Sequence, residues 1–300
     1  MSMAIITLSS NDFVELIPFT NESGRNDRFE YAKVRVGDEW FFRKSAKTPE
    51  LCDNLEREVL WSEFVSQATQ DDKPVALFAP TIIGFDKEGA LLSKFIDAPL
   101  VCSPKNAEPW LAQLDRYAAM LVVLDTAAQA TTLRWPDANQ LNGIQNIDDA
   151  WSRWLGPYAK EVPQLEESKQ YIKSAIPHLS LCVQHGDLTP WQMFADGEKW
   201  IIFDGEKAGD HLPRFNDLCY AYGRLYTRFH EHDAARTLLR LCIEKTNIKT
   251  TDFASQLLPV MLFRTVGMIG DAVHDKNKQA LNDALDLYRR CLTQTLSALL

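Results

Sequence analysis

A chain of 300 residues, 46% of them hydrophobic, has enough apolar side chains for a packed core and is long enough for two domains. Its 32 basic and 41 acidic residues give a formal charge of −9, which argues against nucleic acid as the main partner. The N-terminus lacks the pattern of a secretion signal and no apolar run reaches the length of a membrane span, so we expect a cytoplasmic protein without a membrane partner. The six scattered cysteines predict buried thiols rather than a zinc site or a disulfide framework.

The first third of the chain shows the alternation of apolar and polar residues that is typical of strands. A Gly37-Asp38 pair between two alternating segments predicts a hairpin. One segment differs, because its apolar residues Leu55, Val59 and Phe64 recur at helical spacing. The predicted strands cover residues 13–17, 29–36, 40–44, 80–84 and 90–96, and the predicted helix covers residues 51–67.

From about residue 108 onward the pattern is mainly helical. A small antiparallel sheet with one helix, followed by a larger helical region, predicts an α+β fold with two lobes. We place the boundary at the extended Asp97-Ala98-Pro99 segment, which gives domains 1–97 and 98–300. Trp151 and Trp154 fit the core face of an amphipathic helix. The predicted helices cover residues 109–130, 148–158, 164–176, 217–230, 252–274 and 277–300.

The most specific pattern lies between residues 184 and 206. Two apolar strand segments, residues 181–184 and 199–203, flank an Asp196-Gly197 pair that suits a tight turn, which predicts a hairpin. This hairpin would place Asp187 and Asp204 at the ends of adjacent strands. Asp187 can orient an acceptor hydroxyl, or else cap the following turn. Asp204, directly after a strand, can bind a cation such as Mg²⁺, and the two roles together are those of phosphoryl transfer.

Neighbouring residues extend this interpretation. His185 lies in the same predicted catalytic loop as Asp187. It either braces this loop by hydrogen bonding or transfers protons, and we expect bracing. Gly186 predicts a backbone conformation that a side chain would obstruct. Glu206 is a second candidate metal ligand, with an ordinary solvated turn as the alternative.

Lys44 ends the third strand and can contact the phosphates of a nucleotide if a carboxylate holds it. Glu58 on the following helix suits that role, whereas Glu56 points about 200° away around the helix. Arg43 is the rival cation, and strand alternation sends it to the opposite face.

The turn between the first two strands is the predicted phosphate-covering segment. Ser23, Gly24 and Asn26 could form a tight turn that offers backbone N–H groups to phosphate. The segment has neither a G-x-G-x-x-G nor a Walker motif, so it also fits an ordinary hairpin loop.

These residues together resemble the aminoglycoside phosphotransferase and choline kinase-like superfamily, which are protein kinase-like enzymes acting on small molecules. The resemblance is carried by residues 185–192 (HGDLTPWQ), 203–206 (FDGE) and 213–218 (PRFNDL). It implies that Gln192 is a metal ligand, at a position where the family has Asn. It also implies that Asp217 braces the catalytic loop and that Lys94 and Phe95 belong to a hinge at the nucleotide.

The resemblance implies a kinase that uses Mg²⁺ and moves the γ-phosphate of ATP or GTP to a hydroxyl group. The acceptor would be a small molecule such as an aminoglycoside, a choline-like amino alcohol or a sugar. Gln192 in place of Asn, Trp191 in place of a small residue and Thr189 in place of His leave an alternative, a non-catalytic kinase-like protein that binds nucleotide.

A protein-serine kinase is disfavoured, because only twelve residues separate Asp204 from Asp217, too few for an activation loop with a peptide platform. We expect the helical lobe to line the acceptor pocket. The candidate segments are parts of residues 130–180 and the region around Asp210, Tyr222, Tyr226 and Asp271.

Overall fold

The computed structural model of the chain describes residues 8, 12–19, 28–69, 76–86, 88–136 and 143–300. These residues form an α+β structure divided into two compact units. The N-terminal unit comprises residues 1–72, 76–101 and 192–208, and the helical unit comprises residues 73–75, 102–191 and 209–300. Residues 192–208 thus belong to the N-terminal unit, whereas the sequence-based division at residues 97 and 98 assigned them to the other domain.

The N-terminal unit contains a five-stranded antiparallel sheet in the order β1-β2-β3-β6-β5. Helix α1 covers one of its faces, where Leu55 packs against Phe29, Ile82 and Leu91. The elements of this unit, numbered along the whole chain, are β1 (Glu15–Pro18), β2 (Phe29–Val36), β3 (Glu39–Ala46), α1 (Cys52–Ala68), β4 (Leu77–Phe78), β5 (Ile82–Phe85), β6 (Leu91–Lys94), β8 (Met193–Asp196) and β9 (Lys199–Ile202).

The alternation in β2 and β3 fixes which side chains face α1. Phe29 and Tyr31 lie on one face of β2, and Ala32 and Val34 lie on the other, where they pack against Phe41. In the β2–β3 register, Lys44 lies opposite Tyr31 and Arg43 lies opposite Ala32. Because directly opposed residues share a face, Lys44 is directed toward the α1 side of the sheet.

The predicted turn at Asp196-Gly197 and both predicted strands are present, but the predicted pairing of these two strands is wrong. The strand before the turn is β8, which pairs with β9 in antiparallel register, and β4 pairs with β9 in parallel. Residues 181–184 form β7, which pairs instead with β10. The prediction passed over Met193-Phe194-Ala195 because this short segment lies so close to the turn.

The helical unit contains eight helices among its described residues and one two-stranded sheet. The predicted helices all have counterparts, but α7 was not predicted, although Ala235, Leu238, Leu239 and Cys242 are its buried, helically spaced residues. The elements are α2 (Glu108–Leu111), α3 (Leu114–Ala130), α4 (Ile147–Leu155), α5 (Leu165–Ala175), β7 (Leu181–Gln184), β10 (Gly209–Pro213), α6 (Asn216–Thr227), α7 (His232–Lys245), α8 (Thr250–His274) and α9 (Lys278–Leu292).

Helix α8 runs through the core of this unit. Contrary to the expectation from sequence, an 18-residue window of α8 is long and apolar enough to cross a membrane, with a mean hydropathy of 1.3. Of that window 72% is buried inside the protein, as in the core helix of a globular domain. Trp151 is buried and Trp154 packs against Phe263 of α8, which agrees with the predicted core role of both tryptophans.

Two glycines of α8 face α4, and one of them allows the two helices to approach closely. A Cβ atom at Gly270 would lie 2.5 Å from the backbone oxygen of Trp154, which cannot move aside without shifting α4. A Cβ atom at Gly267 would lie 3.4 Å from the ring of the same tryptophan, an ordinary contact. The backbone approach therefore requires glycine at position 270 and not at position 267.

We expect Gly270→Ala to lower the free energy of unfolding by about 1–3 kcal/mol, because it overpacks a backbone contact. Gly267→Ala in the same helix should be neutral or stabilise by up to about 1 kcal/mol, because alanine favours the helix. Urea unfolding of the two variants and the wild-type protein measures the difference. Equal stability of the two variants would contradict the proposed close approach.

Candidate active site

In the N-terminal unit, Lys44 is almost completely buried, with 1% of its surface exposed. Its Nζ donates to Glu58 Oε2 at 2.7 Å, to Asp204 Oδ1 at 3.0 Å and to Glu206 Oε2 at 3.2 Å. Glu206 is also buried and forms an ion pair with Arg28, which immediately precedes β2. The structure thus brings Lys44, Glu58, Asp204 and Glu206, all named from sequence, into one ionic network.

The rival residues lie elsewhere in this unit. Arg43 faces away from the network and donates to Asp86 Oδ2 at 2.6 Å. Glu56 is exposed on α1, two positions from Glu58. Of the two pairs of candidates, the geometry therefore selects Lys44 and Glu58 for the network.

The network holds more negative than positive charge. Three carboxylates, those of Glu58, Asp204 and Glu206, face two cations, Lys44 and Arg28, which leaves one negative charge in excess. Burial by itself would lower the pKa of Lys44, but the three carboxylates outweigh it and raise that pKa well above its usual value. Burial raises the pKa of Glu58, and the negative charges of Asp204 and Glu206 add to this rise, while Lys44 acts against it. Lys44 is therefore a permanent cation in an electronegative site.

The backbone after β9 turns sharply at Asp204, which adopts a left-handed conformation with φ of 64°. Gly205 follows, and a Cβ atom there would lie 2.5 Å from the Cβ of Trp61 in α1. This close approach to α1 places the side chains before and after Gly205 beside Lys44. Glu206 is therefore a buried member of the network, and the alternative of a solvated turn is wrong.

Gln192 and Asp204 lie at the same end of the β8–β9 hairpin. The backbone N–H of Phe203 donates to the carbonyl oxygen of Gln192 at 3.0 Å, one step beyond the Met193–Ile202 pair of the ladder. Amide and carboxylate oxygens are the donors that Mg²⁺ prefers. Within the described part of the chain, no three His, Cys, Asp or Glu side chains form a metal site by themselves.

An apolar cavity in the same unit lies beside this hairpin. Phe194 and Phe203 stack there with ring centroids 4.6 Å apart. The predicted hinge residues Lys94 and Phe95 contribute to its wall. The lining residues are Phe42, Glu58, Pro80, Ser93, Lys94, Phe95, Ile96, Phe194 and Phe203. The cavity shares Glu58 with the ionic network.

The predicted phosphate-covering turn cannot be placed in this arrangement. Ser23, Gly24 and Asn26 lie outside the described residues. Their contact with phosphate stays a prediction from sequence.

In the helical unit, the carboxylate of Asp217 at the start of α6 fixes the loop that follows β7. Its two oxygens accept hydrogen bonds from the backbone N–H groups of His185 at 2.7 Å and of Gly186 at 2.8 Å. The Asp217 N–H donates in return to Gln184 Oε1 at 3.1 Å. Gly186 has a φ of 84°, in the region that favours glycine. Asp217 thus braces the loop after β7 directly.

The loop leaves its one acid partly exposed and buries its histidine. Asp187 is half-buried, whereas His185 is fully buried. A buried imidazole suits bracing better than contact with a substrate. The ring of Trp191 packs against Trp110 and Phe229, in an aromatic cluster of the helical unit.

Some residues suggested for the acceptor pocket have structural roles instead. Tyr222 and Tyr226 are fully buried, and their hydroxyl groups donate to the carbonyl oxygen of Leu299 and to Asp286. Asp271 is exposed and pairs with Arg224 of α6 at 2.8 Å. Sequence reasoning missed Arg224, although its spacing of seven from Asp217 places both on one face of α6.

No protein-family model and no curated protein sequence matches the chain. Solved structures do match it over nearly its whole length. The GDP complex of wild-type aminoglycoside 2'-phosphotransferase-IIIa is 14% identical with a TM-score of 0.56, and the match covers 94% of this chain and 93% of that one. A choline/ethanolamine kinase family protein from Mesorhizobium loti is 13% identical with a TM-score of 0.58, covering 96% and 91% of the two chains.

A third match is a thermostable mutant of aminoglycoside phosphotransferase APH(4)-Ia in ternary complex with ADP and hygromycin B. It is 9% identical with a TM-score of 0.59, and the match covers 95% of each chain. At these identities the similarity establishes the fold. The chain therefore has the α+β, protein kinase-like fold of aminoglycoside phosphotransferases and choline kinases, which confirms the fold predicted from the sequence.

We expect Lys44→Met to lower the free energy of unfolding by about 3–5 kcal/mol, because it leaves three carboxylates near one another without their shared ammonium. Lys47→Met, at an exposed position just after β3, should change it by less than about 0.5 kcal/mol. Chemical denaturation of the two variants measures both effects. A Lys44→Met protein as stable as the Lys47→Met protein would show that the network contributes little.

We expect Asp217→Asn to lower the free energy of unfolding by about 1–3 kcal/mol, because the amide NH₂ group faces a backbone N–H that then lacks an acceptor. Asp210→Asn, at an exposed position of β10, serves as the matched control and should have almost no effect. Thermal unfolding followed by circular dichroism measures both variants. Equal melting temperatures for Asp217→Asn and wild type would rule out the brace.

Proposed function

We propose that the protein is a soluble small-molecule kinase that transfers the γ-phosphate of ATP or GTP to a hydroxyl group in a Mg²⁺-dependent reaction. The observation that carries the proposal is the buried Lys44, held by Glu58 in the same network as Asp204 and Glu206. A buried cation among acids is costly to maintain, and it suits a site that binds phosphate and a divalent cation. The structural neighbours include GDP and ADP complexes, which supports a nucleotide as donor.

In this proposal the N-terminal unit binds the nucleotide. The cavity lined by Phe42, Phe95 and Phe194 takes the base, and Lys44 contacts the α- and β-phosphates. Asp204 and Gln192 would hold Mg²⁺, with Glu206 as a further oxygen ligand. The ion, when bound, neutralises charge on the phosphate oxygens.

The helical unit supplies the group that acts on the acceptor. Asp187 accepts the hydrogen bond of the acceptor hydroxyl and takes its proton as the new O–P bond forms. The bond between the γ-phosphorus and the bridging oxygen breaks, and the nucleoside diphosphate leaves. Asp217 and the buried His185 keep the loop in place, so their effect on the reaction is through the position of Asp187.

We expect Asp187→Ala to reduce phosphoryl transfer by about 10²- to 10⁴-fold, because the acceptor loses its orienting base. Nucleotide affinity should change only a few-fold, since the variant leaves the Lys44 network intact. Asp196→Ala, in the exposed turn of the β8–β9 hairpin, is the matched control and should keep full activity. The assay follows Mg²⁺-dependent release of nucleoside diphosphate across a panel of small hydroxyl compounds, with calorimetry for nucleotide binding.

Two results would count against this proposal. Undiminished transfer in Asp187→Ala would remove Asp187 from its role. Nucleotide binding by the wild-type protein without turnover on any acceptor would favour the alternative, a kinase-like protein that binds nucleotide but does not catalyse transfer.

A further inference from the structure

Two arginines of the helical unit enclose one tyrosine beside the catalytic loop. The guanidinium carbon of Arg224 lies 4.6 Å from the centroid of the Tyr220 ring, and that of Arg264 lies 4.4 Å from it. Arg224 also donates to the Tyr220 hydroxyl at 2.7 Å. Guanidinium groups from α6 and from α8 thus both lie close to the Tyr220 ring.

This arginine pair is next to the residue proposed to act on the acceptor. Nη2 of Arg264 donates to the carbonyl oxygen of Gly186 at 3.4 Å, and Asp187 follows directly in the chain. Burial would lower the pKa of Arg224, but Tyr220, Asp271 and Asp187 reverse the effect and raise it. The charge of Arg224 is therefore within electrostatic reach of Asp187.

Among the described residues, only one of the two arginines, Arg224, forms a direct ion pair. Asp271 pairs with Arg224 at 2.8 Å and is itself 55% exposed. Arg264 is half-buried, and among the described residues no carboxylate lies within ion-pair distance of it. The buried Nε of Arg224 has no hydrogen-bond partner within the described part of the chain. Arg264 is therefore the member of the pair whose N–H donors, apart from the one to Gly186, can reach a ligand.

A guanidinium presents a planar fork of donors that matches the oxygens of a carboxylate or phosphate. A quaternary amine or a polycationic sugar has no complementary charge to offer such a pair. We propose, on the basis of the kinase function above, that the acceptor carries an acidic group, which Arg264 binds together with Arg224. The pair then sets the substrate class, and the acceptor hydroxyl is directed toward Asp187.

The test uses acceptors that differ by one acidic group. Glycerate and glycerol phosphate are each compared with glycerol, and serine is compared with ethanolamine. Phosphoryl transfer is measured with each compound, and binding is measured by calorimetry in the presence of a non-hydrolysable nucleotide. At least one acid-bearing compound should bind, and its affinity should exceed that of its partner by about tenfold or more, because the guanidinium contact is charge-assisted.

Variants then assign the effect to the pair. Arg264→Gln should raise the KM and the dissociation constant of the acid-bearing compound by about tenfold or more, while the KM for nucleotide stays within about twofold. Arg264→Lys should recover part of the loss, because it keeps the charge without the fork. Arg236→Gln, at a surface arginine of α7 paired with Asp233, is the matched control and should behave as wild type.

The inference is overturned if no acid-bearing compound binds, or if ethanolamine and glycerol bind as well as their acidic partners. It is also overturned if Arg264→Gln leaves the acidic compounds unaffected. Failure of the kinase function has a different signature, namely no nucleotide binding or no turnover. Acceptor binding measured by calorimetry tests the arginine pair in that case as well.

Discussion

One buried ammonium group organises the N-terminal unit. Lys44 is buried, and its charge is stable there because three carboxylates form ion pairs with it. The partners come from α1 and from the segment after β9, so a single atom ties the sheet, the helix and the hairpin together. The left-handed turn at Asp204 and the glycine packed on Trp61 are the local consequences.

A buried charged side chain also organises part of the helical unit, but there it is a carboxylate. Asp217 is a buried carboxylate whose oxygens are used by the backbone N–H groups of the loop after β7. Burial raises the pKa of Asp217, while its hydrogen bonds and the nearby His185 act against that rise. The loop is therefore fixed through its own backbone N–H groups, immediately before the half-buried Asp187.

Much of this arrangement could be predicted from the sequence because it depends on local spacing. The period of two in β3 separates Lys44 from Arg43, and the helical period separates Glu58 from Glu56. Gly186 and Asp217 were identifiable because each stands within a short motif. The fold could be predicted for the same reason, since the strands, the single helix and the helical region follow one another in order.

Other features depend on contacts between distant segments, which no local period encodes. β7 pairs with β10, although the complete β8–β9 hairpin lies between them in the sequence. The prediction paired β7 with β9 because a turn signal lies between those two strands. Arg264 meets Tyr220 only because α6 and α8 pack together, and the two residues are 44 positions apart. The fit of Trp191 among Trp110 and Phe229 is of the same kind. In each case the packing of distant segments determines which residues come into contact.

The central claim is that the Lys44 network is a nucleotide–metal site, and calorimetric titration of the wild-type protein with ATP and GTP, with and without Mg²⁺, tests it most directly. We predict that at least one of the two nucleotides binds, that Mg²⁺ strengthens the binding, and that Lys44→Met weakens it by tenfold or more. Failure of both nucleotides to bind the folded protein in the presence of Mg²⁺ would contradict the claim.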